Sequence, residues 1–240
     1  PLYSSAASDV YKRQDVYDAA LLQQLEALPD GVIDPSERIA PLQPDHLAYL
    51  IYTSGSTGTP KGAGNRHSSI NNSLSRLQAM VNLDANDRIL LKTGISFDAA
   101  VWECFLPLLN GSRLIIAKPG GQKDLIYLAR TIEEQSVTVQ HFVPSALSVL
   151  LEELAKNNSH SLRHILSGGE ALTKSLQAKV SSSLPRTALW NYYGPAETAI
   201  YCSVWCCSPG DDGSTPPIGR PTWNTPVSYT HLPLPTNREV

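Results

Sequence analysis

From residue 47 onward, short apolar runs rich in β-branched and aromatic residues alternate with stretches whose apolar residues recur every three or four positions. The strand-like runs are 47–53, 88–92, 114–117, 138–143, 164–167, 188–193 and 200–206. Between them lie helical stripes: Ile70, Leu74, Leu77 and Val81; Val101, Phe105 and Leu108; Leu125, Leu128 and Ile132; Leu147, Leu150, Leu151 and Leu154. Pro144 suits the first turn of the last of these helices, where its missing N–H costs nothing. Parallel neighbours in a sheet need a crossover, and a helix supplies it. The alternation therefore predicts an α/β fold of layered, mostly parallel sheets with helices on their faces. The Gly-, Asp- and Pro-rich stretch 208–217 reads as a surface loop.

With 240 residues, 42% of them hydrophobic, the chain can bury a substantial core. A formal charge of -3 and a pI near 6.1 give neither nucleic acid nor an anionic membrane anything to attract. No apolar run reaches the roughly 18 to 20 residues that span a bilayer, and the start lacks a basic, apolar, small-residue signal. Cys104, Cys202, Cys206 and Cys207 form no CxxC pairs, which fits reduced thiols in a cytoplasmic protein, with Cys202, Cys206 and Cys207 as packing residues on a strand-like run.

The two ends carry a mark of another kind. Residues 9–14, Asp-Val-Tyr-Lys-Arg-Gln, can be encoded by GATGTGTATAAGAGACAG, and the reverse complement of that string, shifted in frame, encodes residues 227–231. The string resembles the transposase end sequence of sequencing libraries. Residues 1–14 and 227–240 therefore read as translated adapter, and 15–226 as the natural part, an internal fragment.

The chemistry starts at "LAYLIYTSGSTGTPKG", residues 47–62. An apolar strand feeds a loop that gathers the hydroxyls of Thr53, Ser54, Ser56 and Thr57 with free backbone N–H groups, while Gly55, Gly58 and Gly62 let the chain bend close to a ligand. Such a loop suits phosphate oxygens, and Lys61 adds a point charge. It is not a Walker loop. Pro60 precedes the lysine, and Gly62 stands where a magnesium-holding Ser or Thr would be. A flexible Ser/Gly linker is the plain alternative, but a linker needs neither the preceding strand nor the terminal lysine.

"YTSGSTGTPKG" resembles the signature loop of adenylate-forming enzymes, the superfamily of acyl- and aryl-CoA synthetases, luciferases and the adenylation domains of nonribosomal peptide synthetases. "FDAAVWE" at 97–103, "SGGEAL" at 167–172, "NYYGPAET" at 191–198 and "IGRP" at 218–221 follow in the family's order, so the resemblance covers 15–226. It implies part of a large N-terminal domain that uses ATP and magnesium. A carboxylate would attack the α-phosphorus, and pyrophosphate would leave. Thr53, Ser54, Gly55, Ser56, Thr57, Gly58 and Lys61 would hold the β- and γ-phosphates. The backbone of Gly169, Glu170 and Ala171 would line the nucleotide, Asn191 would face the adenine edge and Tyr193 would stack on its ring. Glu197 would ligate magnesium, a hard cation that takes oxygen donors. By itself, "NYYGP" reads equally as a strand ending in a turn. Ala196 departs from the family pattern, which sets a threonine there with a contact to the α-phosphate.

Asp98 separates the branches of the superfamily. Placed before 99–109, it reads from spacing alone as a helix N-cap. The resemblance instead implies the ligand of a substrate α-ammonium, present in amino-acid-activating domains and absent from fatty-acyl and aryl relatives. Around it the resemblance places Ala99, Trp102, His141, Leu166, Gly168, Tyr192, Ile200 and Tyr201 as the side-chain pocket, with Gly168 leaving room. That set carries no second carboxylate and no lysine, which favours a medium-sized aliphatic or mildly polar amino acid. His141 alone reads equally as a core histidine. The implied partners are the amino acid, the phosphopantetheine arm of a carrier domain, and condensation and other synthetase domains of the parent chain. The family's ribose-binding aspartate and its C-terminal lysine fall beyond the matched motifs, so this piece alone is expected to turn over little. A CoA ligase and a nucleotide-binding module without catalysis are the alternatives.

Overall fold

A computed structural model of the chain describes residues 19–29, 31, 34–54, 58–156, 161–208, 210 and 215–228. The end segments read as adapter lie outside these residues except for Val227 and Ser228. The chain divides into two units, Pro1–Leu42 and Gln43–Val240. In the first, helix α1 (Ala19–Glu26) precedes a short 3-10 turn, Pro35–Glu37. Asp34 caps that turn by accepting from Ser36 N–H at 2.8 Å, while the Glu37 carboxylate accepts from Asp34 N–H at 2.8 Å.

The second unit begins with an antiparallel hairpin of β1 (Leu47–Thr53) and β2 (Lys61–Arg66). Helix α2 (His67–Val81) follows, then β3 (Arg88–Leu91), α3 (Ala99–Leu109), β4 (Arg113–Ile116), α4 (Leu125–Glu134), β5 (Val139–Phe142) and α5 (Pro144–Lys156). The unit continues through β6 (His164–Ser167), α6 (Lys174–Ser183), β7 (Ala188–Tyr193), β8 (Ser203–Cys206) and β9 (Arg220–Pro221). Its 7-stranded sheet has the order β4-β3-β5-β6-β7-β8-β9. Pairing is parallel from β4 to β7 and antiparallel for the last two strands. The α/β architecture of a mostly parallel sheet with crossover helices is thus present.

Strand periodicity builds two cores. Ile165 and Leu166 are neighbours on β6 and point to opposite faces. Ile165 joins Leu128, Ile132, Leu147, Leu150 and Leu154 of α4 and α5 with Val180 of α6. Leu166 joins Ile70, Leu74 and Leu77 of α2 with Trp102 and Leu106 of α3. At the amino ends of the strands, Arg163 donates to Asp87 Oδ1 from Nε at 3.1 Å and from Nη2 at 2.8 Å, and to Oδ2 at 2.7 Å. That planar fork joins the starts of β3 and β6.

Four elements differ from the sequence expectation. The run 200–206 is a strand only over Ser203–Cys206, because Ile200 adopts φ 84° and the chain bends there. β2 is glycine-rich and becomes a strand because β1 supplies its hydrogen bonds. Helix α6 carries little apolar periodicity and starts on Thr173, whose hydroxyl accepts from Leu176 N–H at 3.2 Å. On α3 the expected stripe of Val101, Phe105 and Leu108 is not the buried face. Ala99, Ala100, Trp102, Glu103, Leu106 and Pro107 are buried, while Phe105 and Leu108 are 52% and 58% exposed. A helix apolar nearly all round does not announce which side meets the sheet. Cys206 is also exposed, so the packing role expected of it fails. No helix among the described residues is long and apolar enough to cross a membrane.

Candidate active site

Parallel strands end at one edge of a sheet, and the loops that follow them converge there. In this chain those loops carry Asp98 after β3, Gly168 to Ala171 after β6, and Gly194 to Glu197 after β7. A cleft of about 470 Å³, within the usual range for small-molecule sites, is lined by Gly169, Glu170, Ala171, Asn191, Tyr192 and Tyr193 together with Thr215, Pro216 and Ile218. Asn191 is buried, and its Nδ2 donates to the Pro217 carbonyl at 2.7 Å, which anchors the far wall and leaves Oδ1 as an acceptor. Glu170 turns its carboxylate away to cap α5, accepting from Ser145 N–H at 3.0 Å and from its hydroxyl at 2.9 Å. It therefore offers backbone to the cleft. A Cβ on Gly194 would lie 2.3 Å from Tyr201 Cα, so only glycine fits that crossing.

Tyr192 lines this cleft and also a second, small cavity of about 10 Å³ shared with Trp102, Leu166, Ile200 and Tyr201. Leu77 and Met80 of α2 close that cavity; sequence spacing marked Leu77 as core and passed over Met80. Ala199 and Ile200 adopt φ 57° and 84°, a left-handed pair that costs a β-branched residue about 1–3 kcal/mol. The bend buries both Ile200 and Tyr201, and the Tyr201 hydroxyl donates to the Ser73 carbonyl at 2.9 Å. Tyr192 packs 5.8 Å from the Tyr201 ring and 5.5 Å from His141. A Cβ on Gly168 would fall 2.6 Å from the Tyr192 carbonyl oxygen, so Tyr192 itself occupies the room that this glycine leaves. Ala99 is buried in the same apolar cluster.

His141 is 7% exposed, and neither ring nitrogen has a hydrogen-bond partner among the described residues. Burial, reinforced by the nearby Lys92 charge and slightly offset by the Gly168 backbone, lowers its pKa to about 3 and keeps the ring neutral.

Asp98 heads α3 without capping it. Its backbone is helical, φ -63° and ψ -26°, and its side chain makes no cap hydrogen bond. A capping residue needs extended backbone to swing its oxygen over the first turn, so the N-cap reading falls. Burial raises the Asp98 pKa, backbone N–H groups oppose this, and the Glu197 charge raises it further. Asp98 and Glu197 make no ion pair with a basic side chain among the described residues. Burial first, and then the Asp98 charge, push the pKa of the Tyr49 hydroxyl up.

The hairpin reaches the loop after β7. Asn65 of β2 is buried, and its Nδ2 donates to the Ala196 carbonyl at 2.8 Å, joining the strand after the glycine loop to the turn that carries Glu197. Sequence reasoning missed Asn65, a lone amide in a glycine-rich run with no periodic signal. Thr53 Oγ1 donates to the Lys61 carbonyl at 3.4 Å across the loop base, Gly58 sits at φ 82°, and Ser54 and Lys61 are exposed. Gly55, Ser56 and Thr57 lie outside the described residues. Among the described residues no group of three or more His, Cys, Asp or Glu could hold a metal. Exposed Glu197 fits magnesium in the way that ion binds beside phosphates, through one or two carboxylates with substrate oxygens and water completing its shell.

A sequence profile described as "AMP-binding enzyme" matches residues 4–228. The chain belongs to the AMP-binding enzyme family. Its relatives put it in the branch of nonribosomal peptide synthetase adenylation domains. It is 42% identical over 191 residues to phosphinothricin tripeptide synthetase PhsB of Streptomyces viridochromogenes, a match that takes in 80% of this chain and 16% of that protein. The crystal structure of the nonribosomal peptide synthetase FmoA3 superposes with a TM-score of 0.70 at 26% identity, over 76% of this chain and 20% of that one. The Vibrio cholerae adenylation domain AlmE, solved with glycyl-adenosine-5'-phosphate, gives a TM-score of 0.68 at 26% identity, over 75% of this chain and 34% of that one. This AMP-binding chain therefore spans between about one sixth and one third of the length of the proteins it matches here.

Proposed function

We propose that the parent protein activates an amino acid with ATP. The substrate carboxylate oxygen bonds to the α-phosphorus, the bond from that phosphorus to the bridging oxygen breaks, and pyrophosphate leaves. The aminoacyl carbon then passes to the thiol of a carrier domain's phosphopantetheine arm, and AMP departs. Condensation and other synthetase domains of the same chain, in the cytoplasm, would use the product.

Each residue has a task in this scheme. The 53–62 loop, with Thr53, Ser54, Gly55, Ser56, Thr57, Gly58 and Lys61, holds the leaving phosphates in line, where groups already in place stabilise charge without reorganising. The backbone of Gly169, Glu170 and Ala171 walls the nucleotide, Asn191 Oδ1 accepts from the adenine amine, and Tyr193 stacks on the ring. Glu197 would help hold magnesium, which would supply further charge neutralisation. Tyr192 lines the nucleotide cleft and packs into the apolar cluster that holds Trp102, Leu166, Ile200 and Tyr201.

One observation carries the amino-acid reading: Asp98 is partly buried, uncapped and unpaired by any cation among the described residues. Such a charge is costly unless an ammonium arrives to pair with it. A carboxylic acid lacking the amine offers no such partner. In the parent protein, amino-acid-dependent ATP–pyrophosphate exchange is expected to vanish in Asp98→Ala. Exchange driven equally well by des-amino acids would replace this reading with that of a CoA ligase.

A further inference from the structure

The 92–98 loop, which delivers Asp98, leaves β3 where the sheet is open. β3 pairs with β5 only at Ile89 and Val139. Beyond that point side chains bridge the gap. Leu90 N–H donates to Gln140 Oε1 at 3.2 Å, and Gln140 Nε2 donates to Glu103 Oε1 at 2.9 Å. Glu103 Oε2 then accepts the backbone N–H groups of Lys92 at 3.1 Å and Thr93 at 2.9 Å, while the Thr93 hydroxyl donates to Oε1 at 2.9 Å. The Lys92 ammonium lies 3.6 Å from Glu103 Oε1 and 4.9 Å over the Phe142 ring.

Glu103 is fully buried on α3, the helix that Asp98 heads. The loop is thus tied to one helix at both ends: at its start through the Glu103 carboxylate, at its finish by running into the helix. Phe97 N–H donates to the Gly94 carbonyl at 2.9 Å and folds the interval on itself. A buried ion pair adds little stability beyond what apolar side chains of similar volume would give. What this one does supply is a fixed place for the loop.

We propose that Glu103 is a positioning residue for amine recognition: by holding the Lys92 and Thr93 amides and Gln140, its carboxylate sets where Asp98 stands at the head of α3. This rests on the reading of Asp98 as the amine ligand. Nucleotide binding does not depend on it, because that cleft is built from the ends of β6 and β7 and from 215–218.

The test uses the parent protein and pyrophosphate exchange. In Glu103→Gln the new amide N–H2 meets either Gln140 Nε2 or the two backbone N–H groups, and flipping Gln140 only moves the donor-against-donor contact to Leu90 N–H. The double variant Glu103→Gln with Gln140→Glu restores the chain, since the carboxylate introduced at position 140 would accept from Leu90 N–H and from the new amide. Glu103→Gln is expected to raise KM for the amino acid about tenfold or more and to leave KM for ATP within about twofold, with the double variant recovering most of the loss. Thr93→Val removes one donor alone and is expected to raise the amino-acid KM by about two- to fivefold, which decides the matter should Glu103→Gln not fold. An unchanged amino-acid KM in Thr93→Val or Glu103→Gln, equal rises in both KM values, or no recovery in the double variant overturns the proposal. Asp98→Ala separates the two ideas. Retained exchange there sinks the amine reading itself, whereas abolished exchange beside an unaffected Glu103→Gln sinks only the positioning role.

Discussion

Ala196 stands where the resemblance sets a threonine, and its backbone carbonyl accepts from Asn65. In the proposed scheme a hydroxyl added there would gain a partner on the α-phosphate, about 1 kcal/mol for a neutral hydrogen bond. Ala196→Thr in the parent protein is expected to speed pyrophosphate exchange about fivefold; slower exchange would count against the assigned role of this turn. His141 and His164 make a second residue-scale prediction. Burial, with a smaller push from neighbouring positive charge, lowers their pKa values to about 3 and about 4, against about 6.5 when unfolded. His164 Nδ1 also accepts from the Trp190 indole at 3.1 Å, which needs the neutral ring. Since the unfolded state binds more protons across that window, stability is complete above pH ~6.5 and falls as pH drops toward 3. Fully buried His141 contributes at most about 1.4 kcal/mol per pH unit; His164, partly solvated, contributes less. Urea midpoints of the 240-residue chain should decline from pH 7 to pH 4, and less steeply in His141→Phe. A flat profile would show that neither ring is held neutral.

At the scale of elements, the hairpin and α3 show where periodicity stops being informative. β2 reads Lys-Gly-Ala-Gly-Asn-Arg, without a strand-forming run, and pairing with β1 alone makes it a strand. Its Asn65 carries the tie to the Glu197 turn. Asn65→Ala would leave the Ala196 carbonyl without its partner, at about 1–3 kcal/mol. KM for ATP is expected to rise about tenfold while KM for the amino acid stays nearly constant, as measured by exchange with each substrate varied in turn. Equal effects on both would mean that the hairpin does not serve the phosphates. On α3 the chain marks a helix and its head residue, but its apolar residues surround the axis. Packing against β3 and β4 chose the face with Trp102 and Glu103, and the functional reading of Glu103 emerged only with that choice.

At the scale of the molecule, two apolar cores on opposite faces of one sheet leave the carboxyl ends of the parallel strands free for chemistry. The face of α3 with Phe105, Leu108 and Leu109 remains open to solvent, and Ile116 on edge strand β4 is exposed as well. Apolar surface gathered in this way promotes association. The 240-residue chain is expected to self-associate with rising concentration, as followed by light scattering, and Phe105→Asp with Leu109→Asp should return it to monomer. Association unaltered by that pair would locate the cause elsewhere.

The sequence by itself determined the strand-and-helix alternation, the glycine loop with its lysine and the motifs around Asp98 and Glu197, because each is written in neighbouring residues and in the stereochemistry of short segments. Tertiary structure alone decided which side of α3 is buried, that Asp98 does not cap it, that Asn65 joins the hairpin to the Glu197 turn, that Met80 closes the small cavity and that Glu103 and Gln140 bridge the open sheet. These are contacts between residues far apart along the chain or on unlike elements. They depend on how packed surfaces meet and where buried polar groups find partners, and local periodicity carries no record of either.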